Sequence, residues 1–160
     1  MRRQTNALAA AGVLFCAMLG LSACRVQPPV AADALWPQAL DASPLPLANM
    51  RASVAAGRQI FADRATGNCL LCHRITGLDA PFQGNVGPDL TLVGQRLSPA
   101  QLRFRIVDAA RLNPATIMPP YYRTAGLRQV AQEYRGRTVL SAEQVEHLVA
   151  YLASLQAPAS

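Results

Sequence analysis

The chain has 160 residues, 51% of them hydrophobic, with 15 cationic side chains against 9 acidic ones and a formal charge of +6. Every cation is an arginine, and they are scattered, so no basic run exists to follow a nucleic-acid backbone. A solvated surface accounts for such a charge, with attraction for an anionic substrate or acidic partner as the lesser reading.

Met1-Arg2-Arg3-Gln4 opens the chain with a short basic flank, and an apolar run follows from Ala7 to Leu21. At 15 residues the run is shorter than the ~20 that span a bilayer. Basic flank, short apolar core and small-residue end predict a secretory signal over 1–23 and export to the periplasm. Leu21-Ser22-Ala23-Cys24 resembles a bacterial lipobox, which makes Cys24 the candidate lipid-bearing first residue and the only route to a membrane. Ordinary cleavage nearby, with Cys24 incidental, is the alternative. Cys16 lies inside the leader. Without the leader, 13 arginines face 9 acidic residues, a charge of about +4. Residues 24–49 hold five of the twelve prolines and Trp36, the single tryptophan, and read as an extended tether or an arm on a partner.

Val54, Gly57, Ile60 and Phe61 suit a first helix over about 50–63, with Gly57 costing stability unless a close helix contact requires it. Next comes Cys69-Leu70-Leu71-Cys72-His73, and Cys69 and Cys72 are the only cysteines left for the mature body of the chain. Two thiols three positions apart can reach two vinyl groups on one porphyrin edge, and the next residue can bring an imidazole under the iron. The motif therefore predicts one covalent haem c, with Cys69 and Cys72 as thioether attachments and His73 as an axial iron ligand. A thioredoxin-like pair would need strands around it, and none is evident. A zinc site would need four ligands, and only His147, 74 residues beyond His73, could add a nitrogen.

Residues 77–93 read as loop. Within it Pro88 is placed to offer its carbonyl to the His73 ring, a plain loop proline being the alternative. Arg96 is a tentative partner for a haem propionate. Ser98-Pro99-Ala100-Gln101 predicts a capped helix start, Leu102, Ile106 and Val107 share a face, and Asn113-Pro114 ends the helix. Met118 lies 45 residues after His73, before Pro119 and Pro120. Those prolines hold the segment extended and stiff, so it can cross a haem face and present a thioether as the second axial ligand. A packed core Met is the alternative. Met50 packs or is exposed at the first helix, and His147 is read as a helix-surface residue. Residues 124–140 suggest a short helix with a loop. Ser141-Ala142-Glu143-Gln144 starts the last helix, with Val145, Leu148, Val149 and Leu152 as its apolar stripe and Tyr151 at the border.

The order Gly57/Phe61, Cys69-Leu70-Leu71-Cys72-His73, Gly87-Pro88-Asp89-Leu90, Met118-Pro119 and Leu148-Val149-Ala150-Tyr151-Leu152 resembles class I cytochromes c. That resemblance implies an all-α domain over about 50–157, with first and last helices crossing beside one haem. Asn85-Val86-Gly87-Pro88-Asp89-Leu90, Arg105-Ile106-Val107-Asp108, Asn113 through Arg123 and Tyr134-Arg135-Gly136 are similar to the SoxX family, monohaem subunits of SoxAX sulfur-oxidation cytochromes. This narrower resemblance implies a SoxA-type cytochrome partner, a SoxYZ carrier whose cysteine is coupled oxidatively to thiosulfate, and a downstream electron acceptor. The complex would be an L-cysteine S-thiosulfotransferase, in which this chain relays electrons and has no catalytic residue of its own. A stand-alone periplasmic electron carrier and a non-haem lipoprotein are the competing readings. Arg111, Tyr121, Tyr122 and Arg123 either meet the partner or brace the Met118 loop.

Overall fold

The computed structural model describes residues 46–158. The leader 1–23, Cys24 and most of the tether, Trp36 included, lie outside the described residues.

Four α-helices carry the described chain: α1 (Val54–Ala62), α2 (Val93–Arg96), α3 (Pro99–Asp108) and α4 (Ala142–Ser154). Short 3-10 turns stand at Cys69–Leu71, Ala109–Arg111 and Gln132–Tyr134, and no strand occurs among the described residues. None of these helices is long and apolar enough to cross a membrane.

Helix ends follow local chemistry. Ser98 and Ser141 each accept the backbone N–H three residues on, and Gln101 and Gln144 each return a side-chain oxygen to the cap N–H. Helix α1 is shorter than the pattern predicts. It begins at Val54 because Ser53, in extended geometry, caps it by accepting from the Ala56 N–H. Residues 124–140 form only the single turn at Gln132–Tyr134, and α2, which the pattern does not announce, begins at Val93, the last residue of the predicted loop.

Helices α1 and α4 cross at Gly57. A Cβ there would lie 2.0 Å from the His147 carbonyl oxygen and 2.7 Å from Tyr151 Cβ. The missing side chain lets the backbones touch, which is the close contact Gly57 called for. Phe61 and Tyr151 then meet at 5.9 Å between ring centroids. Phe61, Val145 and Leu148 are all at most 2% exposed, and burying each such side chain contributes about 1.5–3 kcal/mol. Tyr151 sits in this core and not at its border.

The core extends further toward the N-terminus than the tether reading allows. Leu47 is 1% exposed, and its N–H donates to Glu146 Oε1 at 2.9 Å. Glu146 in turn receives a fork from Arg103, 2.7 and 2.8 Å, between α3 and α4. Leu47 is therefore seated on the helices. His147 is equally engaged: its Nδ1 accepts the Ser53 N–H at 2.9 Å, tying the start of α1 to α4.

Candidate haem-binding site

The Cys69–Leu71 turn explains why the cysteines are three apart. In a 3-10 helix the side chains at i and i+3 eclipse. Cys69 and Cys72 therefore stack on one side of the turn, while Leu70 enters the core and Leu71 stands 61% exposed. Asn68 starts the turn in left-handed geometry, φ 49°. The His73 N–H reaches back to the Cys69 carbonyl at 3.0 Å, which delivers the imidazole directly after the second thiol.

Cys69, Cys72 and His73 line one wall of a cavity of about 790 Å³. That volume falls in the ~300–1,000 Å³ range of cofactor pockets. Val86, Gly87, Pro88, Leu90, Val93 and Leu97 continue this side, and Leu102, Ile106, Ala109 and the segment through Met118 and Pro119 close the other. Both sulfur-bearing segments, 69–72 and 118, and the imidazole thus open into the same space.

The proximal wall is built by residues 84–90 running beside residues 70–74. Backbone N–H groups of Gly84, Gly87 and Leu90 donate to the carbonyls of Leu70, Cys72 and Arg74, at 2.8 to 2.9 Å. Gly87 has to be bare, because a Cβ there would lie 2.5 Å from His73 Cε1. Pro88 follows, and its carbonyl lies 2.8 Å from His73 Nδ1. A carbonyl only accepts, so Nδ1 carries a proton and Nε2 is the ring nitrogen left to bind a metal. Asp89 receives both Nε and Nη2 of Arg74 on one oxygen, 3.0 and 2.8 Å, which holds the wall to the chain after His73.

The other wall hangs from α3. Tyr121 and Tyr122 donate their N–H groups to Ile106 and Val107 carbonyls, 3.1 and 3.3 Å, and both rings are buried. Arg111 and Arg123 both reach Asp108, so all four residues brace the Met118 segment. Met118 is partly buried against the core, and its N–H donates to Thr116 Oγ1 at 3.2 Å.

Two guanidinium-bearing residues border the cavity. Arg96 lines it while Nη2 donates to the Asp89 carbonyl at 2.8 Å. Arg105, which the sequence reading passed over, lines it as well and donates Nη1 to the Gln101 carbonyl. His147 and Met50 do not line it.

The donor chemistry fits a porphyrin held by thioethers. Burial pushes the Cys69 thiol up to about 11, and neither cysteine is in a disulfide. A redox or metal-binding cysteine needs the opposite shift, toward thiolate. Burial likewise pushes the Tyr121 hydroxyl up. Asn68 Oδ1 is buried without a hydrogen-bond partner among the described residues, at the cavity edge. Arg105 stands in the Arg105-Ile106-Val107-Asp108 resemblance, but nothing in the sequence marks it or Asn68 as a cavity residue: the fold brings them to this space.

The family model of cytochrome c matches residues 54–156. Among solved structures, SoxXA from P. pantotrophus is similar to this chain with a TM-score of 0.73 and 28% identity, covering 81% of this chain and all of that one. The c-type cytochrome SorU from Sinorhizobium meliloti gives a TM-score of 0.41 and 22% identity, over 64% of this chain and 88% of that one. No curated protein sequence matches the chain.

Proposed function

We propose, from the premise that the chain belongs to the cytochrome c family and binds haem c covalently, that it is the one-haem electron relay of a SoxAX complex. One observation carries the reading: His73 and Met118 line one cavity, and both cysteines line it as well.

Cys69 and Cys72 would form the two thioethers, and the attachment motif occurs once in the sequence. His73 would give Nε2 to the iron, with Pro88 fixing tautomer and ring orientation through Nδ1–H. Met118 would give its thioether as the second iron ligand, a donor that favours reduced iron and raises the potential. Arg96 and Arg105 are the candidates to meet the propionates. When bound, the haem supplies a one-electron couple. Apolar side chains from both walls keep water from it, which sharpens the electrostatic influence of its ligands.

With His73 and Met118 both holding the iron, no position would be left on it for a substrate. Coupling thiosulfate to a carrier thiol releases two electrons, and this chain accepts one at a time. The bond-making step is therefore assigned to a SoxA-type partner acting on SoxYZ, and onward transfer to this chain. Likeness to SoxXA supports the partner assignment. The leader pattern and Cys24 support a periplasmic location with a lipid anchor.

The test is a pull-down with the full chain from periplasm of cells grown on thiosulfate, followed by haem staining and identification of bound chains. A second haem-staining cytochrome retained in stoichiometric amount is the expected result. A monodisperse monomer that exchanges electrons with many partners would place the chain among stand-alone carriers instead.

A further inference from the structure

We propose that Asp108 is a positioning residue for the Met118 thioether. One buried carboxylate oxygen clamps both stems of the loop that carries the sulfur. The inference rests on Met118 being an iron ligand.

Asp108 ends α3 and its side chain is fully buried. Its Oδ2 accepts Arg111 Nε–H at 3.3 Å and Arg123 Nη1–H at 2.8 Å. Arg111 and Arg123 flank residues 112–122, the loop that carries Met118. Two sequence-distant stems are thus drawn to one atom. Asp108 Oδ1 has no partner among the described residues, so the hold passes through Oδ2 alone.

Loop stiffness makes the stems decisive. Pro114, Pro119 and Pro120 fix backbone angles within it. Asn113 bonds to the N–H groups of Ala115 and Thr116, and Thr116 Oγ1 to that of Met118. These bonds shape the loop internally. Its attachment to the body comes from the stems, where Tyr121 and Tyr122 bond to α3 and the two arginines meet Asp108. A stiff loop pivots about its stems, so a shift there is carried to the sulfur.

The energetic logic favours a positional role over simple stability. A buried ion pair stabilises no better than well-packed apolar side chains would. What a buried carboxylate between two guanidiniums adds is a defined register. A loosened clamp would raise the fraction of molecules with Met118 off the iron. An external ligand would then bind in proportion to that fraction.

The experiment is imidazole titration of the oxidised holoprotein, followed in the visible spectrum. Asp108→Asn and Arg123→Gln are each expected to bind imidazole about tenfold more tightly than the native protein. Arg123→Lys, which keeps the charge and loses the guanidinium, should fall between the native protein and Arg123→Gln. Val149→Ala is the control, a core truncation outside the cavity with its own loss of melting temperature. It should stay within about twofold of native. Should Asp108→Asn not fold, Arg123→Gln carries the test, its side chain being 25% exposed. Native-like imidazole affinity with an intact methionine-to-iron band in the clamp variants would overturn the proposal, as would an equal gain in Val149→Ala. A native protein lacking that band would instead remove the ligand assignment beneath it.

Discussion

The Tyr121 hydroxyl donates to the Gly67 carbonyl at 2.9 Å, across 54 residues of sequence. This single bond joins the segment that carries Met118 to the turn that carries Cys69. The two walls of the cavity are thereby tied at one end, and Gly94, whose N–H donates to the Leu155 carbonyl, fastens α2 to the end of α4.

Tyr121→Phe keeps the ring and removes that tie. The Gly67 carbonyl is left without its donor in a buried place, so the expected loss is about 1–2 kcal/mol. Denaturant unfolding should show a lower midpoint with an unchanged slope, the signature of altered stability without altered compactness. An unchanged midpoint would mean that water replaces the hydroxyl at no cost.

Gly57→Ala sets two effects against each other. Alanine gains about 1 kcal/mol of helix propensity over glycine. Its Cβ, however, would need the His147 carbonyl to retreat from 2.0 Å, which is backbone on backbone. Overpacking of this kind costs about 1–3 kcal/mol and more where backbone must move. The clash wins, and thermal unfolding of the holoprotein should show a net destabilisation. A rise in melting temperature would show that α1 and α4 part easily.

Met118→Ala should abolish the weak methionine-to-iron band near the red end of the oxidised spectrum. The potential should fall by a sizeable part of the ~0.8 V range that axial ligands span. Spectroelectrochemistry reads both changes together. An unaltered spectrum would assign the second axial position to another residue.

Asp89 predicts a pH effect with a definite sign. The Thr91 hydroxyl, the Thr91 N–H and Arg74 hold its carboxyl down to about 2. An unfolded aspartate titrates near ~3.9, so between these values the unfolded chain binds more protons. The contribution is fully present above about pH 4 and is lost as pH falls through about 2. Asp89→Asn should therefore melt below the native protein at neutral pH, and the gap should close on acidification toward about pH 2. A gap independent of pH would mean that the carboxylate charge is not what fastens this wall.

Local signals carried most of the architecture. Both capping boxes are where Ser98 and Ser141 announce them, because a cap is a contact between residues three apart. The attachment motif is legible for a related reason, since one 3-10 turn is enough to put both thiols on one side. Gly57 was readable as a close contact because glycine inside a helix is costly without a reason. The start of α1 was misplaced because the apolar pattern does not mark the Ser53 cap, a local contact with the Ala56 N–H; His147 then holds the Ser53 N–H from 94 residues away. His147 lies half-buried on α4 and away from the cavity, and the Ser53 bond adds a tie to α1 that its helix position alone does not announce.

The sequence by itself determined the order of α1, α3 and α4, the chemistry of the cofactor attachment and the stiffness of the segment around Met118, since each is written in residues a few positions apart. The tertiary structure alone decided that Arg111 and Arg123 share one oxygen of Asp108, that Tyr121 reaches Gly67, that Arg105 joins Arg96 at the cavity, and that Leu47 is core. Each of those depends on chain segments brought together by packing, and no short spacing rule encodes which distant donor will face a buried acceptor.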